Sequence, residues 1–316
     1  MNPLVYVVLL NWQRPHDVLS CLRSLHALEY DAKKIVVVNN GSSDELREVV
    51  SASQTDVSVI EAGRNRGFSG GNNLALRQAI VDGAKYIWIV NDDLTLPSDC
   101  LSTLVAAAEA DPQAGLLSPV VYHKDHPDLV WNAGGKFQKA TCGFDWFLDV
   151  NEADSFQRAH PDRFMLAGTA LLIRTDLVAH IGGLGEDMFA YFEDVDYSIR
   201  AQSAGFTRRL VTNASVYHDH QPAGRQRPHV AYYLSRNDIL IWRRHVATFP
   251  MLKKRYWASL RMLRDLRRYR DDPELWEASL TGWWHGQCGT AGERDPQRRA
   301  PAMIRWAARA ASGWIS

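Results

Sequence analysis

The apolar residues of this chain fall first into short unbroken runs and later into helical stripes. Residues 5–10 form a continuous apolar run, the pattern of a strand buried on both faces. Residues 17–28 follow with Val18, Leu19, Leu22 and Leu25 at helical spacing. A second buried strand, 35–38, ends in Asn39-Asn40-Gly41-Ser42-Ser43-Asp44, a dense turn signal. A short helix over 45–52, a third strand over 57–61, a helix over 70–81 and a fourth buried strand over 86–90 continue the alternation. That alternation predicts a mostly parallel, doubly wound α/β sheet, which takes ligands beyond the carboxyl ends of its strands. The polar clusters 39–44 and 91–93 fall at those ends.

Further on, the pattern predicts a helix over 101–110, a strand over 115–121, loops and short strands over a cleft for 131–163, and a strand-like stretch over 165–173. A helix over 195–204 is closed by Gly205, and a strand over 211–218 follows. The character changes near residue 225. Seven of the eleven tryptophans lie beyond residue 240, and in 252–269 Leu252, Tyr256, Leu260 and Leu263 line one helical face, with Lys254, Arg261, Arg264 and Arg268 roughly opposite. The expected division is therefore a catalytic α/β domain over 1–225 and a helical, Trp- and Arg-rich region over 226–316.

With 316 residues, 46% apolar and 23% charged, the chain can bury a sizeable core and is not globally disordered. The formal net charge is zero, but residues 241–270 hold ten Lys/Arg against a single acid, Asp265. Such a stripe suits an anionic surface or ligand. Nucleic acid is one reading, but the apolar face and tryptophans fit a membrane surface or a homodimer contact better. Four dispersed cysteines with no CxxC pair give no support to a zinc or redox site and suit a reducing compartment. The opening residues lack a basic segment and a cleavage site, so no signal peptide is expected. The longest apolar runs are about half of what a bilayer span needs. A cytoplasmic protein, or one peripheral to the inner face of the cell membrane, is the expectation.

Four segments carry candidate chemistry. Asn91-Asp92-Asp93 ends the fourth strand, where adjacent carboxylates can bind a hard divalent cation together with substrate phosphates. The same residue types also cap helices and make Asx turns. Asn65-Arg66-Gly67-Phe68-Ser69-Gly70-Gly71-Asn72-Asn73 can bring backbone close to a phosphate at a helix N-terminus, or be a plain strand-to-helix loop. In Phe192-Glu193-Asp194-Val195-Asp196 three acids open a helix, as capping would have it, and Asp196 has an i,i+4 partner in Arg200. The aromatic run just upstream can also tune a carboxylate for general-base work. His218, at the end of the last strand, can ligate a metal, contact phosphate or be structural.

In this order and spacing the segments resemble the family 2 glycosyltransferases of the GT-A fold, in the branch of bacterial rhamnosyl- and galactofuranosyltransferases. The likeness spans roughly residues 4–245. It is most specific in 65–73, which is similar to that family's NxGFxGGNN, and in Gly182-Gly183-Leu184 leading to Tyr191-Phe192-Glu193-Asp194-Val195-Asp196. Tyr232-Tyr233-Leu234-Ser235-Arg236-Asn237 is a further match. The resemblance implies a Rossmann-like sheet with a helical C-terminal extension. It implies Mg²⁺ or Mn²⁺ held by Asp93 and His218, and Asp194 as catalytic base. The implied donor contacts are Asn11, Asn39, Asn40, Asp44, Arg66, Gly67, Asn72, Asn91 and Asp92; the implied acceptor contacts are Glu193, Trp131 and Arg236. The implied reaction is an inverting transfer of L-rhamnose from dTDP-L-rhamnose to a glycan or lipid-linked oligosaccharide for bacterial surface polysaccharide. A UDP-galactofuranose or other UDP-sugar transferase is the alternative within the class, and a non-catalytic nucleotide- or carbohydrate-binding module the alternative outside it.

Overall fold

The computed structural model describes residues 2–42, 45–52, 56–138, 143–219, 226–245 and 251–312. Asp44, Cys142 and His220 lie outside them, as do the side chains of Leu252 and Lys254.

The first half alternates as its pattern requires: β1 (Val5–Asn11), α1 (Asp17–His26), β2 (Lys33–Asn39), α2 (Glu45–Ala52), β3 (Val57–Glu61), α3 (Gly67–Val81) and β4 (Tyr86–Asn91). β5 (Leu94–Thr95), α4 (Cys100–Ala110), β6 (Ala114–His123), β7 (Val130–Asn132), β8 (Gly135–Gln138), β9 (Gly143–Trp146) and α5 (Val150–Ala159) follow. Then come β10 (Phe164–Met165), β11 (Ala170–Arg174), α6 (Thr175–Ile181), a 3-10 turn at Glu186–Met188, α7 (Glu193–Ser203) and β12 (Thr207–His218). The main sheet runs β3-β2-β1-β4-β11-β6-β12-β5, with β7 alongside β6. β1 pairs in parallel with β2 and β4, while β11 enters antiparallel between β4 and β6.

Alternation along β1 and β4 explains why both strands read as unbroken apolar runs. Val5, Val7, Leu9, Trp88 and Val90 pack with Val18, Leu22 and Leu25 of α1 and Leu101 and Leu104 of α4. Tyr6, Val8, Ile87 and Ile89 face the other way, onto Ala75, Leu76 and Ala79 of α3, Leu177 of α6 and Tyr197 of α7. A two-sided core leaves the strand ends as the place where polar groups can gather.

Three local expectations are revised. α3 begins at Gly67, not at 70, so the glycine-rich motif forms the first turns of the helix. The 131–163 stretch contains a full helix, α5, capped by Asp149, whose carboxylate accepts the Glu152 N–H (2.8 Å). The strand-like 165–173 stretch is broken at 166–169, between β10 and β11.

The chain divides into two compact units. The larger holds the sheet; the smaller holds Gln138–Gly143, Glu186–Glu193 and Pro222–Ser316. The expected border at 225 thus misses a short loop that belongs with the C-terminal helices. Those helices are α8 (Pro228–His245), α9 (Met251–Arg268), α10 (Pro273–Cys288) and α11 (Ala302–Ser312). α10 packs directly on α8 because Gly282 and Gly286 face it: a Cβ at Gly282 would lie 2.2 Å from the Tyr232 carbonyl oxygen, and one at Gly286 2.8 Å from that of Arg236. The buried face of α9 is not the stripe read from the sequence. Ala258 and Leu266 are buried, Leu266 with Trp276 and Leu280 of α10 and Ala308 of α11, whereas Tyr256 and Leu260 are exposed. Among the described residues no helix is long and apolar enough to cross a membrane.

Candidate active site

The carboxyl end of the sheet gathers the strand-end residues. After β4 the chain passes through Asn91-Asp92-Asp93 and enters β5, which pairs antiparallel with the end of β12, His218 opposite Leu94. That register brings His218 Nε2 to 3.1 Å from Asp93 Oδ1. Trp131 of β7 meets the other face of the arrangement, its ring edge-on to His218 with centroids 4.5 Å apart. The Asn91 N–H donates to the Thr169 carbonyl (3.0 Å), which ties the end of β4 to the chain entering β11.

The two aspartates differ. Asp92 is almost fully buried; Asn11 Nδ2 donates to its Oδ2 (2.9 Å) and Arg14 Nη2 to its Oδ1 (2.9 Å). Burial pushes its carboxyl up to about 6, against the pull of Arg14. Asp93 is more open. Burial also opposes its ionisation, but the hydrogen bond and charge of His218 and the charge of Arg14 outweigh it, and its carboxyl lies below the ordinary value. Arg14, on the loop past β1, was not singled out from sequence, although a strand-end loop is where such a residue is to be sought.

Asn39 and Asn40 shape the neighbouring turn. Asn39 Oδ1 accepts the Ser42 N–H (2.8 Å). Asn40 links that turn to the glycine-rich motif: its Oδ1 accepts the Arg66 N–H (2.9 Å), and its Nδ2 donates to Asn65 Oδ1 and the Gly67 carbonyl (both 3.1 Å). Arg66 Nε donates to the Ala62 carbonyl (3.0 Å). Asn72 is fully buried; its Nδ2 donates to the Phe68 carbonyl one turn back (2.9 Å), while its Oδ1 has no hydrogen-bond partner among the described residues. Gly71 is small because α3 presses on β1, where a Cβ would meet Leu10 Cδ1 at 2.4 Å. Asn73 makes a two-bond pair with the Leu184 backbone (both 2.9 Å), and Gly183 has no room for a Cβ beside Asn73 Oδ1 (2.3 Å). The motif thus also cross-links the sheet end internally; within it only Gly67, at φ +72°, uses glycine's left-handed freedom, and it opens the helix.

Asp194 lies in the first turn of α7, partly exposed. Its Oδ2 accepts the Gly168 N–H and its Oδ1 the Val195 N–H, each at 2.8 Å. Gly168 sits in the break before β11, and a Cβ there would meet Asp194 Cβ at 3.3 Å. Burial raises the carboxyl above its usual range, with the two backbone N–H groups opposing. Asp196 is separate: fully buried, it pairs with Arg200 Nε (2.8 Å), whose other nitrogens donate to the Ile181 and Gly183 carbonyls. Its role is structural.

In the smaller unit, Glu193 is buried and follows a loop of unusual backbone. Phe189, Tyr191 and Phe192 have φ of 62°, 69° and 68°. A left-handed conformation costs roughly 1–2 kcal/mol for an ordinary residue, so something must hold it. Arg236, expected to meet the acceptor, is instead fully buried, and its guanidinium donates to backbone carbonyls of Met188 (2.8 Å), Asp187 (3.2 Å) and Gly292 (2.5 Å). The neighbouring Asn237, which sequence reasoning missed, donates to the same loop.

The mixed sheet flanked by helices is the GT-A fold, as solved glycosyltransferases of that fold show. The whole chain superposes on 82% of a Pyrobaculum calidifontis mannosyltransferase, PcManGT, solved with GDP-Man and Mn²⁺, at a TM-score of 0.60 and 16% identity. It also matches GalNAc-T7, solved with UDP, GalNAc and Mn²⁺, over 92% of this chain and 56% of that one, at a TM-score of 0.58 and 12% identity. Residues 6–182 match the model of Glycosyl transferase family 2, and the chain belongs to that family. It is 24% identical over 200 residues, 62% of this chain, to the low-salt glycan biosynthesis hexosyltransferase Agl10 of Haloferax volcanii, and that match spans 61% of Agl10. It is 24% identical over 69% of its length to the N-acetylglucosaminyl-diphospho-decaprenol L-rhamnosyltransferase of Mycobacterium tuberculosis, covering 76% of that protein. It is 31% identical to galactofuranosyltransferase GlfT1 of the same species over 40% of this chain and 42% of that one.

Proposed function

We propose that the chain is an inverting glycosyltransferase that moves L-rhamnose from dTDP-L-rhamnose to a glycan or lipid-linked acceptor, with Asp194 as base. The observation that carries this reading is Asp194 itself: a carboxylate held by two backbone N–H groups, with its proton affinity raised by burial. In the reaction an acceptor hydroxyl oxygen bonds to the anomeric carbon, the bond from that carbon to the diphosphate breaks, and the hydroxyl proton passes to Asp194. Positioned proton transfer is worth about 10²–10⁴-fold, so orientation and charge stabilisation must supply the rest.

Among the described residues no three metal-ligating side chains cluster, so a cation would depend on the substrate to complete its shell. Asp93 and His218 fit that demand: one ionised carboxylate and one imidazole, 3.1 Å apart, with phosphate oxygens and water left to fill the other positions. Bound there, Mg²⁺ or Mn²⁺ would neutralise the departing diphosphate as a Lewis acid. Asn11 and Arg14 hold Asp92 behind it. The helices beyond residue 226 are proposed to serve the acceptor, a membrane surface or a second copy.

Rhamnose is favoured by the rhamnosyltransferase relative, whose match is long; a UDP-galactofuranose donor is favoured by GlfT1, whose match is shorter but more identical. Hydrolysis of a panel of nucleotide-sugars with Mn²⁺ separates them. Release of rhamnose from dTDP-L-rhamnose supports the first reading; turnover of UDP-galactofuranose alone replaces it with the second, and binding without turnover of any donor leaves a non-catalytic module.

A further inference from the structure

The loop at Phe189–Phe192 and the start of α8's second half form a device that the reaction scheme does not use. Asn237 is fully buried, and its Nδ2 lies 2.9, 2.8 and 2.7 Å from the carbonyl oxygens of Met188, Ala190 and Tyr191. Three carbonyls converge on one amide nitrogen along a backbone that is left-handed at Phe189 and Tyr191, and Phe192 follows in the same conformation.

The orientation of that amide is itself fixed. Arg236 Nε donates to Asn237 Oδ1 (2.8 Å), so the oxygen must face the guanidinium and the NH₂ must face the loop. Arg236 is anchored in turn by the Met188, Asp187 and Gly292 carbonyls and lies over the rings of Tyr232 and Tyr233, 5.4 and 4.9 Å from their centres. Tyr233 also stacks on Phe189 (centroids 5.3 Å, planes 18° apart). The Asn237 amide, one arm of Arg236 and the Tyr233 ring thus all end on the backbone or a ring of residues 187–191. The loop is one residue from Glu193, and Glu193 is one residue from Asp194.

We infer that Arg236 and Asn237 are positioning residues: together they clamp Phe189–Phe192 in a left-handed path and so fix how the adjoining Glu193 is presented for transfer. Arg236 therefore acts through the backbone and not by touching diphosphate or acceptor. The idea rests on the proposed transferase reading for its catalytic consequence, but not for the clamp.

The test uses Asn237→Asp, which keeps the shape but sets a carboxylate against three carbonyls, and Asn237→Ser as a milder second variant. Chymotrypsin cleaves after Phe and Tyr, and the loop offers Phe189, Tyr191 and Phe192. Limited digestion of the full chain should cut within 189–192 at least tenfold faster in either variant than in the natural protein, with the overall thermal midpoint within a few degrees. In dTDP-L-rhamnose hydrolysis with Mn²⁺, kcat should fall at least tenfold while KM and dTDP affinity stay within twofold. Asn237→Gln, which restores the amide, should recover part of kcat. Unchanged digestion at 189–192 overturns the clamp whatever the activity shows. Accelerated digestion with unchanged kcat overturns its role in transfer. If the natural protein turns over no nucleotide-sugar, the transferase reading fails and the digestion still decides the clamp.

Discussion

The strand-end cluster of the larger unit and the clamped loop of the smaller one solve different problems. Asp92, Asp93, Arg14 and His218 are joined by side-chain contacts, Arg14 to both carboxylates and His218 to Asp93, with Arg14 half-exposed. Such contacts between side chains can be remade around a bound cation without unmaking the sheet, because the strands are held by backbone pairing. The loop before Glu193 is held by buried side chains that donate to backbone carbonyls, which no ligand can substitute. The contrast is between charged side chains within reach of solvent and a backbone path fixed by buried donors.

The largest effect that would break this comparison is at Asp194, the proposed base. Asp194→Asn should lower transfer or hydrolysis by about 10²–10⁴-fold, the range for positioned proton transfer, with nucleotide affinity unchanged by calorimetry. A variant with full activity would shift the base to Glu193. Next is the donor side. Asp93→Ala should weaken Mn²⁺-dependent nucleotide-sugar binding by roughly 10–100-fold, the loss for a charge-assisted contact of about 1.5–3 kcal/mol. Asp92→Asn, at a residue held from behind by Asn11 and Arg14, should cost less than Asp93→Ala in the same titration. Equal losses would mean that both carboxylates face the cation.

The acid limb of the pH profile follows from the raised carboxyl of Asp194. The base works only when ionised, so activity is present above its pKa and is lost as pH falls through it. Because burial raises that pKa, the limb in kcat/KM should lie above the ordinary carboxylate value of about 4. In Asp194→Asn the limb should vanish from whatever activity remains. A limb at or below about 4 in the natural protein would assign it to another carboxylate.

Much of this was legible because strand ends are legible. Unbroken apolar runs place β1, β2 and β4, and the polar residues that end them must lie at one edge of a parallel sheet. The meeting of Asp93 with His218 needed the β5–β12 register, which no local pattern reveals. Arg14 carried only its position after a strand. Gly168 had a signal that went unread: a glycine inside a strand-like stretch marks a break or a close backbone approach, and here it is both. Asn237 had a fainter one, an Arg-Asn pair buried in a helix otherwise apolar on that side. The glycine-rich motif was ambiguous, because glycines that admit a neighbouring strand and glycines that admit a phosphate look alike in sequence.

That ambiguity gives the smallest and most local prediction. If 65–73 were chiefly a phosphate cradle, changing its contact partner in the chain would alter donor binding. The structure instead makes Asn73 a cross-link to the Leu184 backbone, with Gly183 forced small beside it. Gly183→Ala would place its Cβ 2.3 Å from Asn73 Oδ1, so that either the amide or the Gly183 backbone must move. Overpacking of this kind costs about 1–3 kcal/mol. Thermal denaturation should therefore show a lower midpoint for Gly183→Ala, while dTDP affinity, measured well below that midpoint, stays within twofold. A loss of nucleotide affinity without loss of stability would return the motif to the donor side.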